Sequence, residues 1–185
     1  MTTAIRGELR STLLAAALAM LESGTGELSL RAVARAAGVS AMAPYRHFAD
    51  KAALLAAVAG CGFAALYDGV AAADSAPEPR AALLAQGLAY VAFARARPAL
   101  FRLMFMDQPG QLKPAGGDTG AYDVLARRVA ELTPDDADSA ALACWSIVHG
   151  LATLVLDGRL AGLAPERERR ALSLFVAALG KTGET

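Results

Sequence analysis

Apolar side chains recur along this chain at helical spacing almost from end to end, and Gly, Pro and Ser/Thr/Asp clusters punctuate them. A first helix is expected from about Thr3 to Glu22, ending at Ser23-Gly24-Thr25-Gly26. Leu30, Val33, Ala34 and Ala37 then repeat on one face of a short helix, and Gly38 stands where a left-handed cap would stop it. Val39 is the apolar residue of a turn, and Ser40 is a good N-cap for a second short helix with Tyr45 and Phe48 on its inner side. Asp50 can cap a long helix running toward Ala73, in which Gly60 and Gly62 are points where it could bend. Further helices are expected from near Arg80 to Arg97, over Ala99–Met106, from about Gly120 to Leu132, from Thr133 onward, and from Pro165 to near Gly180. Thr133 reads as an N-cap, with Pro134 at the first position and Asp135 and Asp136 against the dipole. Asp107–Thr119, with three Gly and two Pro, reads as a mobile loop. Nothing alternates Val, Ile and Thr in the manner of a sheet.

The two short helices around Gly38 carry the most specific signal. Arg31, Arg46, His47 and Lys51 cluster outward, and Ala41 and Met42 stand on the outer side of the second helix. An ordinary helical hairpin would also place Gly between helices, but it does not call for this outward basic cluster. The arrangement is a helix-turn-helix, a device that lays its second helix in the major groove of DNA. Ala41, Met42 and Ala43 offer only apolar contact to thymine methyl groups, so Arg31 and Arg46, the nearby side chains that can fork onto guanine, are expected to carry most direct base reading. Pro44 would be the fourth helical residue, where its missing N–H should have bonded the Ser40 carbonyl. The helix is therefore expected to start irregularly.

Charge refines this reading. The 185 residues have a formal net charge of zero, but residues 1–51 hold six basic and four acidic side chains. The remainder holds 12 basic and 14 acidic ones. The asymmetry has the sign a DNA-binding head needs, and its small size points to a few placed contacts. Cys61 and Cys144 lie in apolar helical runs and read as buried free thiols in a reducing cytoplasm. Nothing at the N-terminus resembles a signal peptide. Ser139–Leu156 holds 18 positions without a formal charge, at the lower limit for a membrane span, but Asp135, Asp136 and Asp138 flank it where a basic bias would be expected. It reads instead as a helix packed on its own subunit by one face and on a partner by the other. An enzyme is disfavoured: there is no nucleophile elbow, phosphate-binding glycine loop or dinucleotide fingerprint, and His47, Cys61, Cys144 and His149 lack metal-ligand spacing. No cofactor is expected.

The runs Ala37-Gly38-Val39-Ser40, Tyr45-Arg46-His47-Phe48 and Lys51-x-x-Leu54-Leu55 resemble the TetR family of bacterial transcriptional regulators. Trp145-Ser-Ile-Val-His149-Gly150 and Asp157-Gly158-Arg159-Leu160 are similar to the C-terminal domain of the TetR subgroup named after its Trp-His-Gly signature. The resemblance implies an all-α fold of about nine helices. It would comprise a three-helix helix-turn-helix domain over residues 1–50 and a helical effector-binding and dimerisation domain over 51–185. Ser29, Arg31, Ser40, Tyr45, His47 and Lys51 match positions that contact phosphates or bases, and Ala41, Met42 and Ala43 match the groove-facing start of the recognition helix, beside Arg46. The implied protein is a cytoplasmic repressor, a homodimer through its last two long helices on a near-palindromic double-stranded operator, released by a small apolar effector. Phe63, Tyr67, Phe93, Met104, Phe105, Trp145 and His149, with Tyr90, Phe101 and Met106, are candidates to line the effector pocket or simply to fill the core. The alternative is a helical dimer that binds a ligand or protein without specific DNA recognition.

Overall fold

Helix-forming alanine and leucine runs, cut by Pro and Gly, give a chain whose described residues are helical wherever they are regular. The computed structural model describes residues 2–24, 26–105 and 120–180. Met106 and the segment Asp107–Thr119, read above as a loop, lie outside the described residues. Among the described residues there are eight α-helices: α1 (Thr2–Ser23), α2 (Leu30–Ala36), α3 (Lys51–Ala73), α4 (Pro79–Ala96), α5 (Pro98–Phe105), α6 (Ala121–Leu132), α7 (Ala137–Leu156) and α8 (Pro165–Ala178). Two 3₁₀ turns, Pro44–Arg46 and Pro134–Asp136, complete them.

The count is eight against an expected nine because the second helix of the helix-turn-helix is not α-helical. Pro44 has no N–H for the Ser40 carbonyl, so that carbonyl takes the Ala43 N–H instead, at 2.9 Å. The chain tightens into the 3₁₀ turn Pro44–Arg46, whose Pro44 carbonyl accepts from both His47 and Phe48 N–H at 2.9 Å. Ser40 therefore does not cap an α-helix. The turn also re-aims Tyr45, which was expected on the inner side: it is 44 % exposed, while Phe48 is buried as expected.

The chain divides into two compact units, one of residues 1–62 and 97–106, the other of residues 63–96 and 107–185. In the first, α1 packs on α2 and α5. Its core holds Leu13, Ala17, Leu30, Val33, Phe48, Leu54, Val58, Leu100 and Phe101. Helix α3 runs unbroken through Gly60 and Gly62, so neither bends it. Gly62 serves close approach instead: a Cβ there would stand 2.6 Å from Met104 Sδ and 3.1 Å from Leu100 Cδ1. Cys61, expected to be buried, is exposed because it lies one position away from that contact, on the outer side of α3.

In the second unit α4 is central, packing on α6, α7 and α8, and α6 packs on α7. Leu83, Val129, Ala141, Cys144, Val176 and Leu179 form one buried cluster. Burial pushes the Cys144 thiol up to about 11, so it stays a protonated small hydrophobe. Thr133 was expected to cap the next helix; its hydroxyl donates back to the Val129 carbonyl at 3.0 Å and caps nothing forward. α3 and the run Pro134–Leu156 are long and apolar enough to cross a membrane by length and composition alone, yet α7 commits Ala141, Cys144, Val148 and Ala152 to this core.

Candidate nucleic-acid interface and effector site

The head is assembled by local chemistry. Leu30, Val33 and Ala34 bury one face of α2. Ser29 Oγ accepts the Ala32 N–H at 3.2 Å, an N-cap that fixes where α2 starts. Gly38 adopts φ +68°, and Val39 N–H reaches Ala34 O (3.0 Å) while Gly38 N–H reaches Arg35 O (3.2 Å). That double closure is a Schellman motif, and only glycine adopts its geometry without strain. Arg31 is left exposed in the first turn of α2.

Beyond the cap, Ser40, Ala41, Met42, Tyr45 and Arg46 are exposed, Ala43 and His47 are half-buried, and Pro44 and Phe48 anchor the turn from below. Among the described residues Met42 is the most exposed large hydrophobe, at 67 %. Asp50 Oδ1 accepts the Ala53 N–H at 2.8 Å and starts α3, as expected. Lys51 follows in the first turn, but its Nζ donates to Glu27 Oε1 at 2.8 Å, joining the approach to α2 to the start of α3. Two helix N-termini, both favourable to anions, are thus drawn together. Sequence reasoning missed two members of this surface. The guanidinium of Arg10 sits 5.6 Å from the centroid of the Phe48 ring, a cation–π contact that places a third arginine beside the turn. The other is Glu27. No local signal ties either residue to a partner more than 20 positions away.

Among the expected effector residues, Phe63, Tyr67, Phe93, Trp145 and His149 belong to the second unit, whereas Met104 and Phe105 belong to the first. Met104 packs on Gly62 there, and Phe105 meets Phe101 at a tilt of 51° with centroids 4.8 Å apart. Phe63 and Phe93 are half-buried and Tyr67 is 43 % exposed. Trp145 and His149, one turn apart on α7, stand with ring centroids 5.5 Å apart, and Tyr122 of α6 meets Trp145 edge-on at 6.4 Å. Tyr90 of α4, buried, has its hydroxyl 2.9 Å from His149 Nδ1.

Electrostatics fixes the protonation of this group. Burial raises the Tyr90 phenol well above its ordinary value, and a hydrogen bond from the Trp145 side chain opposes that only in part. Burial lowers His149, so its ring is neutral at neutral pH. The Tyr90 hydroxyl and His149 Nδ1 therefore meet as neutral groups that share one hydrogen bond, its direction following the imidazole tautomer. The result is a neutral, polar-edged aromatic cluster contributed by α4, α6 and α7, suited to an uncharged or weakly polar ligand.

The same unit carries a charged node. Asp74, just past α3, accepts from Gln86 Nε2 (2.9 Å), Arg127 Nη2 (2.7 Å) and Arg128 Nε (2.7 Å). Burial works to raise the Asp74 carboxyl, but the hydrogen bonds from Arg128, Arg127 and Gln86 win and hold it below its ordinary value. Arg95 Nη2 pairs with the buried Glu168 at 2.6 Å and ties α4 to α8. Among the described residues no group of three or more His, Cys, Asp or Glu side chains is placed to hold a metal ion.

Comparison with known proteins supplies independent evidence. A family model described as bacterial regulatory proteins, tetR family, matches residues 13–58. A second, described as tetracyclin repressor-like, C-terminal domain, matches residues 83–179. A solved structure of a protein with unknown function from Rhodococcus sp. RHA1 is 36 % identical, with a TM-score of 0.77, covering 94 % of this chain and 96 % of that one. A TetR family transcription regulator from Marinobacter aquaeolei VT8 is 21 % identical, with a TM-score of 0.68 over 97 % of this chain and 98 % of its own. A TetR variant from Acinetobacter baumannii AYE, in complex with minocycline, is 22 % identical, with a TM-score of 0.63 over 91 % and 94 %. No curated protein matches the chain.

Proposed function

Because the chain belongs to the tetR family of bacterial regulatory proteins, we propose that it is a cytoplasmic repressor that binds a near-palindromic operator as a homodimer and is released by a small, uncharged, largely apolar effector. The observation that carries the DNA-binding reading is the paired helix starts of the head, Ser29 capping α2 and Asp50 capping α3, with Arg31, Arg46 and Lys51 around an exposed turn. Backbone N–H groups at those starts, the Ser29 and Ser40 hydroxyls, Tyr45, His47 and Lys51 suit phosphate oxygens. Ala41, Met42 and Ala43 suit the floor of the groove, and Arg31 and Arg46 suit guanine.

Dimerisation is supported by apolar side chains left uncovered on the last two helices: Leu142, Ile147 and Leu154 on α7 and Leu174 on α8, each between 39 % and 58 % exposed. Large hydrophobes left exposed on a folded chain mark a candidate interaction surface. A two-fold dimer would set two recognition turns about 34 Å apart, one DNA turn. The Trp145, His149 and Gly150 signature supports the Trp-His-Gly subgroup and an effector site at the Tyr90–Trp145–His149 cluster, with Phe63, Tyr67 and Phe93 of the same unit as further candidates. The minocycline complex of the Acinetobacter protein is in keeping with a small-molecule effector.

Footprinting of the purified protein on DNA around its own gene, at two salt concentrations, tests the reading. A protected near-palindrome whose occupancy falls steeply with salt is expected. A second reading, a ligand-binding dimer without operator recognition, draws on one observation: the recognition segment is a 3₁₀ turn with an apolar leading edge. Absence of any protected site would favour it.

A further inference from the structure

The ion pair between Glu27 and Lys51 stands on the surface that, on the DNA-binding reading above, meets phosphate. The Lys51 ammonium lies in the first turn of α3 and is half exposed, and the Glu27 side chain is 84 % exposed. Glu27 precedes the Ser29 cap of α2 by two residues, and Lys51 follows the Asp50 cap of α3 by one. Both charges therefore stand at helix starts where anions are otherwise favoured. The two acidic side chains of this edge are used differently. Asp50 spends its carboxylate on the Ala53 N–H, whereas Glu27 directs its own at the ammonium.

We infer that Glu27 is an attenuator of DNA affinity, a carboxylate that occupies the phosphate-binding ammonium of Lys51 in the free protein and must yield it when a phosphate oxygen arrives. The hydrogen bond and charge of Lys51 hold the Glu27 carboxyl below its ordinary value, so it is ionised throughout the neutral range. Its competition is with any phosphate and not with a particular base. Its effect is therefore to weaken binding to all sequences, leaving discrimination to the groups that reach base edges. In a head with six basic and four acidic side chains over residues 1–51, one carboxylate placed on one phosphate-facing ammonium is a large fraction of the net charge.

The test compares wild type, Glu27→Gln, Lys51→Gln and the double variant on the footprinted operator and on a random-sequence duplex, each titrated with salt. Glu27→Gln is expected to bind both duplexes about three- to tenfold more tightly per head, with a salt slope steeper by about 0.9. The gain should be largely lost in the Lys51→Gln background. Unchanged or weakened binding by Glu27→Gln would overturn the inference, the weaker result making Glu27 a positioner of Lys51. An equal gain with and without Lys51 would also overturn it, reducing Glu27 to diffuse repulsion. Both side chains are exposed, so the variants keep the fold, which circular dichroism checks. Wild type that binds neither duplex would refute the DNA-binding reading itself, an outcome distinct from all of these.

Discussion

At the scale of the residue, Arg31 and Arg46 are set apart from the other head side chains by their fork of donors beside an otherwise apolar leading edge. Arg46→Ala is expected to cost about 1–3 kcal/mol on the operator and much less on random DNA, the signature of a base contact. Arg31→Ala is expected to do the same at a different base pair. Equal losses on both duplexes, measured by competition binding, would reduce these arginines to phosphate contacts. Gly62 is decided by packing. Gly62→Ala drives a methyl into Met104 and Leu100, and overpacking of this kind costs about 1–3 kcal/mol. Gly60→Ala, where a Cβ meets nothing within 4 Å, should be neutral or slightly stabilising in the same denaturation experiment. His149 gives a pH signature. Its pKa is lowered in the fold, so the unfolded chain takes up a proton first as pH falls below about 6.5, and stability declines over that window. Replacing His149 by Gln should flatten the slope of unfolding midpoint against pH between about 6.5 and the lowered value.

At the scale of the element, the helices are joined by ion pairs as well as by apolar faces. Asp74 fastens the end of α3 to α4 through Gln86 and to α6 through Arg127 and Arg128. Its carboxyl is held below the ordinary value near 3.8, so its contribution is present above that value and is lost as pH falls through the lowered one. Asp74→Asn is expected to unfold earlier by about 1–3 kcal/mol at pH 7, because three donors lose a charged acceptor. Wild type and variant should converge in acid, where Asp74 is itself protonated. A difference that persisted in acid would assign the loss to shape and not to charge. The pattern of helices was otherwise legible: the caps at Asp50 and Gly38 and the start at Pro165 are local signals, and the helices begin or end there, while α4 starts at Pro79, one residue before the expected start near Arg80. Pro44 was equally legible, since a missing N–H at a fixed offset breaks an α-turn whatever surrounds it.

At the scale of the whole molecule, the exposed apolar side chains Leu142, Ile147 and Leu154 of α7 and Leu174 of α8 are the feature a single chain leaves unexplained. Leu154→Arg combined with Leu174→Asp is expected to yield monomers by sedimentation, with intact helicity. Operator affinity should fall by orders of magnitude, because two linked heads gain from effective concentration and one does not. Monomers that bind the operator as tightly as wild type would remove this face from the functional interface. The balance of charge belongs to this scale too, since a neutral chain binds polyanions only through local asymmetry.

The sequence alone determined which segments are helical, where most of them begin and end, and which short stretch bears the nucleic-acid signature. Those properties depend on propensity and on hydrogen bonds within four or five residues, which a linear pattern contains. Tertiary structure decided the rest. Tyr90 meets His149 across 59 positions, and Lys51 meets Glu27 across 24. Cys61 is exposed where Cys144 is buried, although both sit in similar apolar runs. Such pairings follow from how each helix is rotated about its axis when its apolar face finds a neighbour, and that rotation is set by contacts among segments distant in the chain.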